Sequence, residues 1–125
     1  MITGIDLNAV TDYTLKEDKK NPTVWKLGAL SSDVLAGIAS LATVEATSGN
    51  IKQMINLVRL GLRGWSNFQI AGKDIAFATV EEELFGAKRQ MLDNDIAKII
   101  PLNAIVELGT EIVKINNLSG EEAKN

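Results

Sequence analysis

Residues 61–77 read GLRGWSNFQIAGKDIAF and hold one of the two tryptophans and two of the three phenylalanines of the chain. Whether this stretch is a binding site, or the point where a helix hands over to a β-hairpin, decides how the rest is assembled. Just upstream, Ile51, Met54, Ile55, Val58 and Leu62 recur at helical spacing, and Gly64 is placed to end that helix. Downstream, Phe68 and Ile70 alternate before AGKD, and Ile75 and Phe77 alternate after it. Gly72 can supply the positive φ of a tight turn, so this part predicts a two-stranded ribbon.

Working outward, SSDVLAGIASLATVEATSGN has the periodicity of another helix. Ser31 or Ser32 can cap it, Asp33 suits its positive end, and Val34, Leu35, Ile38, Leu41 and Ala42 share a face. Ser48, Gly49 and Asn50 stop it, and the short turn predicts two antiparallel helices. Further out, DYTLKEDKKNPTVWKLGAL reads as two extended runs, with Tyr13 and Leu15 on one and Val24 and Leu27 on the other, around a turn marked by Asn21 and Pro22. In the other direction, ATVEEELFGAKRQMLDN admits either a helical turn opened by Glu81, Glu82 and Glu83 and ended by Gly86, or an exposed loop. Asp93 or Asn94 can then cap a short helix through Ile96, Ile99 and Ile100, and Pro101 suits the first turn of the next. Leu102, Ile105, Val106, Leu108, Ile112, Val113 and Ile115 make that last helix strongly apolar and predict a central place for it.

The fold class read from these patterns is α+β, mainly α, with three to four helices, an N-terminal hairpin and a central hairpin around one core. The chain of 125 residues reads as a single domain, 1–125, with residues 1–10 and 119–125 as frayed tails. Leu41, Ile55, Val58, Trp65, Leu108 and Ile112 are the expected core.

Composition narrows function by exclusion. The chain has no cysteine and no histidine, which removes disulfides, thiolate metal sites, the commonest neutral-pH base and every Ser/His or Cys/His nucleophile pair. A net charge of -3, from 13 basic and 16 acidic residues without a long basic run, offers no footprint for nucleic acid. No apolar stretch approaches the roughly 20 residues that span a bilayer, and the opening residues lack a signal-peptide pattern. A soluble intracellular protein with no cofactor, and not an enzyme, is the expectation.

Few candidate sites remain. Trp65 and Phe68, with Trp25, can form an aromatic cradle, or they can fill the junction between helices and hairpins. The glycines at 61, 64 and 72 match no phosphate-loop spacing. Asp93 and Asp95, or the run Glu81 to Glu83, carry oxygens for a hard cation, yet without EF-hand spacing they read better as caps and as a solvated face. Lys16, Lys19 and Lys20 alternate with Glu17 and Asp18, which reads as a mobile, solvated turn. Ile112, Val113 and Ile115 lie close together on the last helix and suggest an apolar surface for a partner or for self-association as a homo-oligomer.

The order YTLKEDKKNPTVWKLGALSS, then a helix pair ending GLRGWSNF, then AGKDIAF, then IIPLNAIVELGTEIVKINNLSGEEAKN, resembles small proteins of tailed-bacteriophage morphogenesis clusters, the tail assembly chaperones in particular. The resemblance covers residues 13–125, except ATVEEELFGAKRQMLDN. It implies a protein that engages the phage tape-measure protein in the cytoplasm of the infected host, assists tail-tube proteins to polymerise, and is absent from the virion. Trp65, Phe68, Ile112, Val113 and Ile115 are the partner-binding candidates on this reading. It also implies a frameshifted longer product, for which Ala123, Lys124 and Asn125 permit a slippery codon run. The alternatives are a structural virion component, such as a capsid or head-to-tail joining protein, and a small-ligand binder using Trp65.

Overall fold

Seven strands in three antiparallel sheets, together with four helices, make up the described residues of the computed structural model. These residues are 1–44 and 50–116, the side chains of 39–44 and 50 excepted. The expected helix stop at Ser48 and Gly49, the side chains of Leu41 and Ala42, and the tail with Ala123, Lys124 and Asn125 lie outside them. In chain order the elements are β1 (Val10–Tyr13), β2 (Val24–Gly28), α1 (Ser32–Val44), α2 (Asn50–Gly61), β3 (Leu62–Ser66), β4 (Gln69–Ile70), β5 (Lys73–Asp74), β6 (Thr79–Leu84), β7 (Ala87–Leu92), α3 (Asn94–Ala97) and α4 (Leu102–Ile115).

The mainly helical reading is therefore corrected: the chain is a more even mixture of strand and helix. The first cause is the handover at residues 61–66. Helix α2 stops at Gly61, not Gly64, and Leu62–Ser66 forms a third strand beside β2, giving the order β1-β2-β3. Leu62 lies four residues after Val58, so its burial suits a helical stripe equally well, and spacing alone does not separate the two. What ends the helix is tertiary. Arg63 donates from its guanidinium to the carbonyls of Leu60 and Ala29, the latter at 2.6 Å, which satisfies a carbonyl at the helix end and ties it to the residues before α1. Gly64 instead faces Lys26 beside a register shift in β2.

The second cause is the acidic segment. Thr79–Leu84 and Ala87–Leu92 form a hairpin, neither a helical turn nor a loop. Phe85 and Gly86 at its tip have φ of 53° and 77°, positive at both central positions as in a type I′ turn. Ala71 and Gly72, at 51° and 78°, make the same kind of turn in the β4–β5 ribbon, which is shorter than the alternation suggests. Glu82 faces inward and pairs with the guanidinium of Arg59, a residue only 7 % exposed that also donates to the Leu92 carbonyl at 2.8 Å. The tip is held by Arg89, which donates to Asp33 at 2.8 Å, and by the Phe85 ring, which occupies the space where a Cβ on Gly37 would project.

The core runs through these layers. Leu27 from β2, Leu57 and Val58 from α2, Met91 and Leu92 from β7, and Leu108 and Ile112 from α4 are its largest fully buried side chains. Each contributes about 1.5–3 kcal/mol by leaving water. Val58, Leu108 and Ile112 are buried as expected, whereas Ile55 and Trp65 are only half-buried. Helix α4 is amphipathic and not apolar all round: Ala104, Ile105, Leu108, Gly109 and Ile112 face inward, while Leu102 and Val106 are exposed. Pro101 precedes its first turn as the N-cap, and Asp93 caps α3 by accepting from the Asp95 amide at 2.8 Å. The first strand begins at Val10, inside the stretch expected to fray, and Leu15 lies beyond its end.

Candidate functional site

The connection between β1 and β2, residues 14–23, is fixed by its own polar groups. Asp18 accepts from the Thr23 amide at 2.9 Å, and the Asp18 amide donates to the Leu15 carbonyl at 3.1 Å. The Thr23 hydroxyl donates to the Asn67 carbonyl at 2.8 Å, and the Asn67 side chain donates to the Asn21 carbonyl at 2.6 Å, which staples the connection to the β3–β4 turn. Asn21 and Asn67 have φ of 49° and 63°, a conformation asparagine adopts more readily than most residues. The run read from sequence as a mobile, solvated turn is thus anchored within the fold.

Facing it is the first half of α4. Glu107 accepts from the Tyr13 hydroxyl at 2.5 Å and from the Lys16 amide at 2.9 Å. The Tyr13 hydrogen bond, opposed by desolvation and aided by the amide and charge of Lys16, holds Glu107 below the usual carboxylate range. Tyr13 is pushed up to about 12, first by burial, then by the hydrogen bond and charge of Glu107 and the charge of Glu111.

Between the connection and α4 lies a cleft of about 360 Å³. Its floor is Trp25, Phe68 and Ala104, which are buried, and Glu17, Asp18 and Glu107 stand at its more exposed edge. Leu15 and Pro101 add apolar wall, and among the described residues no lysine or arginine lines it. Strand register sets the floor, because Tyr13 pairs with Trp25 and Trp25 with Trp65. The two indoles meet edge to face at 5.8 Å, Phe68 lies 5.0 Å from one and 5.1 Å from the other, and Phe77 is 5.0 Å from Trp65. Such contacts add about 0.5–1.5 kcal/mol per pair beyond burial and hold the rings in fixed orientations. The Trp65 indole N–H donates to the Ile75 carbonyl at 2.7 Å, tying the β4–β5 ribbon back to β3. The Trp25 indole N–H is buried and has no acceptor among the described residues.

The partner-binding candidates read from sequence separate on this framework. Phe68 lines the cleft with Trp25, while Trp65 lies behind it with its N–H engaged. Ile112 is 0 % exposed, so it offers no surface to a partner in this conformation. Val113 and Ile115 are half-buried against the core and away from the cleft lining. Sequence reasoning missed Leu15, Asp18, Ala104 and Glu107. Nothing local marks them, since Glu107 has the spacing of any polar residue on a surface helix and meets Tyr13 across 94 positions. Among the described residues no group of three or more acidic residues is arranged to hold a metal ion, and no helix is long and apolar enough to cross a membrane.

No protein-family model, curated protein or solved structure matches the chain.

Proposed function

We propose that the chain is a non-enzymatic morphogenesis protein of a tailed bacteriophage, a tail assembly chaperone that engages the tape-measure protein in the host cytoplasm while the tail tube assembles. The resemblance supplies the class of partner. The observation that supports a binding role is the open cleft over a buried aromatic floor, with Leu102 and Val106 exposed at 55 % and 42 % on the same first two turns of α4. Exposed aliphatic side chains on a helix beside an open cleft suit contact with the apolar face of a partner helix, which would otherwise be exposed to aggregation. The partner surface on this reading includes Phe68 and Trp25; Leu102 and Val106 are also the side chains through which two copies would self-associate in the absence of partner.

Co-expression with the tape-measure protein is the test. The partner is expected to be soluble and to co-purify with this chain, and to be insoluble without it. Equal partner solubility in both cases would remove the chaperone reading. Recovery of this chain from purified virions would transfer it to the structural components of the particle.

A further inference from the structure

The lining of the cleft is one-sided in charge. Glu17, Asp18 and Glu107 line it and, among the described residues, no lysine or arginine does. Lys16, whose charge reaches Glu107, and the positive end of α4 offset part of this, leaving a residual of roughly -1.5. The floor under these carboxylates is aromatic and aliphatic: Trp25, Phe68, Leu15 and Pro101. A compact metal ion is a poor match, because the acidic groups are not arranged as ligands around one point. The matching shape is an elongated cation with an apolar stem. Lysine and arginine side chains have that form, laying methylenes on apolar surface and carrying a charge that aromatic faces and carboxylates attract. At about 360 Å³ the cleft is at the small end of the usual range for ligand sites, roughly 300–1,000 Å³, which suits one long side chain with its own backbone.

We propose that this cleft receives a lysine or arginine side chain of the docked partner segment, an inference that rests on the partner-binding reading above. The carboxylates select the charge, the Trp25 and Phe68 floor covers the stem, and the residue so held sets the register of the partner along α4.

The test uses the intact chain and two blocked amino acids of nearly the same shape, N-acetyl-arginine amide and the uncharged N-acetyl-citrulline amide, titrated at equal ionic strength. The chain has two tryptophans, and Trp65 is engaged by Ile75, so its indole NMR signal serves as the internal reference for that of Trp25. The arginine probe is expected to shift the Trp25 signal at a concentration about tenfold lower than the citrulline probe. Glu17→Gln with Asp18→Asn, which keeps an oxygen for the Thr23 amide, is expected to weaken the arginine probe about fivefold. Equal response to both probes, or no response to either, overturns the proposal on the unaltered protein alone. Arginine selectivity without any effect of this chain on tape-measure solubility would sink the chaperone reading and leave the cation site standing. Chaperoning without probe selectivity would do the reverse.

Discussion

Tyr13 and Glu107 are 94 positions apart and share a 2.5 Å hydrogen bond in which the phenol donates to the carboxylate. This contact closes β1 and the following connection onto α4 and, together with the bond from the Lys16 amide, fixes the Glu107 carboxylate at the cleft. The other end of α4 is secured by Asn116, which accepts from the Leu30 amide at 2.8 Å just beyond the helix.

Tyr13 is the only tyrosine, so phenolate absorbance reports this one contact. Titration is expected to centre on about 12, not the ordinary 10.0. Because the folded value is raised, the stabilisation is whole below pH about 10 and is lost as pH climbs through the folded value. Glu107→Gln should bring the midpoint down towards 10, and Tyr13→Phe should remove the alkaline slope of stability. A midpoint near 10 in the native protein would show that the clasp is open.

The β6–β7 hairpin should be the first part of the fold to loosen in acid. Asp33, bonded by the Ser31 hydroxyl and then by Arg89, is lowered to about 2, and Glu82 is lowered by its bond to Arg59. Depressed carboxyl groups stabilise above the ordinary carboxylate range, and that contribution disappears as pH falls through the folded values. Amide exchange, corrected for intrinsic rates, should therefore rise in β7 between pH about 4 and about 2, before it rises in α2 or α4. Simultaneous loss across all three elements would contradict this.

Two glycines mark close approach between α2 and α4, and they should respond differently to alanine. A Cβ on Gly61 would lie 2.6 Å from Cδ1 of the fully buried Ile112, whereas one on Gly109 would meet the thioether sulfur of Met54 at 2.5 Å. The unbranched methionine can turn aside, and the packed isoleucine cannot do so without disturbing the core. Gly61→Ala is expected to cost about 1–3 kcal/mol in denaturant unfolding, and Gly109→Ala clearly less.

Val58 tests the helix face directly. It is 0 % exposed, so Val58→Asp places an unpaired carboxylate in the core and should cost several kcal/mol, on the order of half the stability of a small domain. An unchanged thermal midpoint would mean that α2 presents another face.

How much of this was legible depends on the kind of signal each part carries. The stripes of α2 and α4 were readable because Val58, Leu108 and Ile112 recur at one period on long elements. The β6–β7 hairpin was not, since its tip uses Phe85 where Asn or Asp is the usual mark of a type I′ turn, and its inward Glu82 looks solvated until Arg59 is seen opposite. The end of α2 was misplaced because Arg63 terminates it through the Ala29 carbonyl, a contact across 34 positions that no local pattern displays. The aromatic half of the cleft, Trp25 and Phe68, was within reach of sequence reasoning; its acidic half depends on bringing Asp18 and Glu107 together, which only the folded chain does.

Hydrogen–deuterium exchange of the chain, alone and co-expressed with its proposed partner, the tape-measure protein, tests the account most directly. Partner binding is expected to add protection at residues 15–23, at the amide of Phe68 and across 102–107, with little change in β6 and β7. A complex whose added protection lies elsewhere, or a partner that remains soluble with no complex formed, would contradict the placement of the binding surface on the Trp25 and Phe68 cleft.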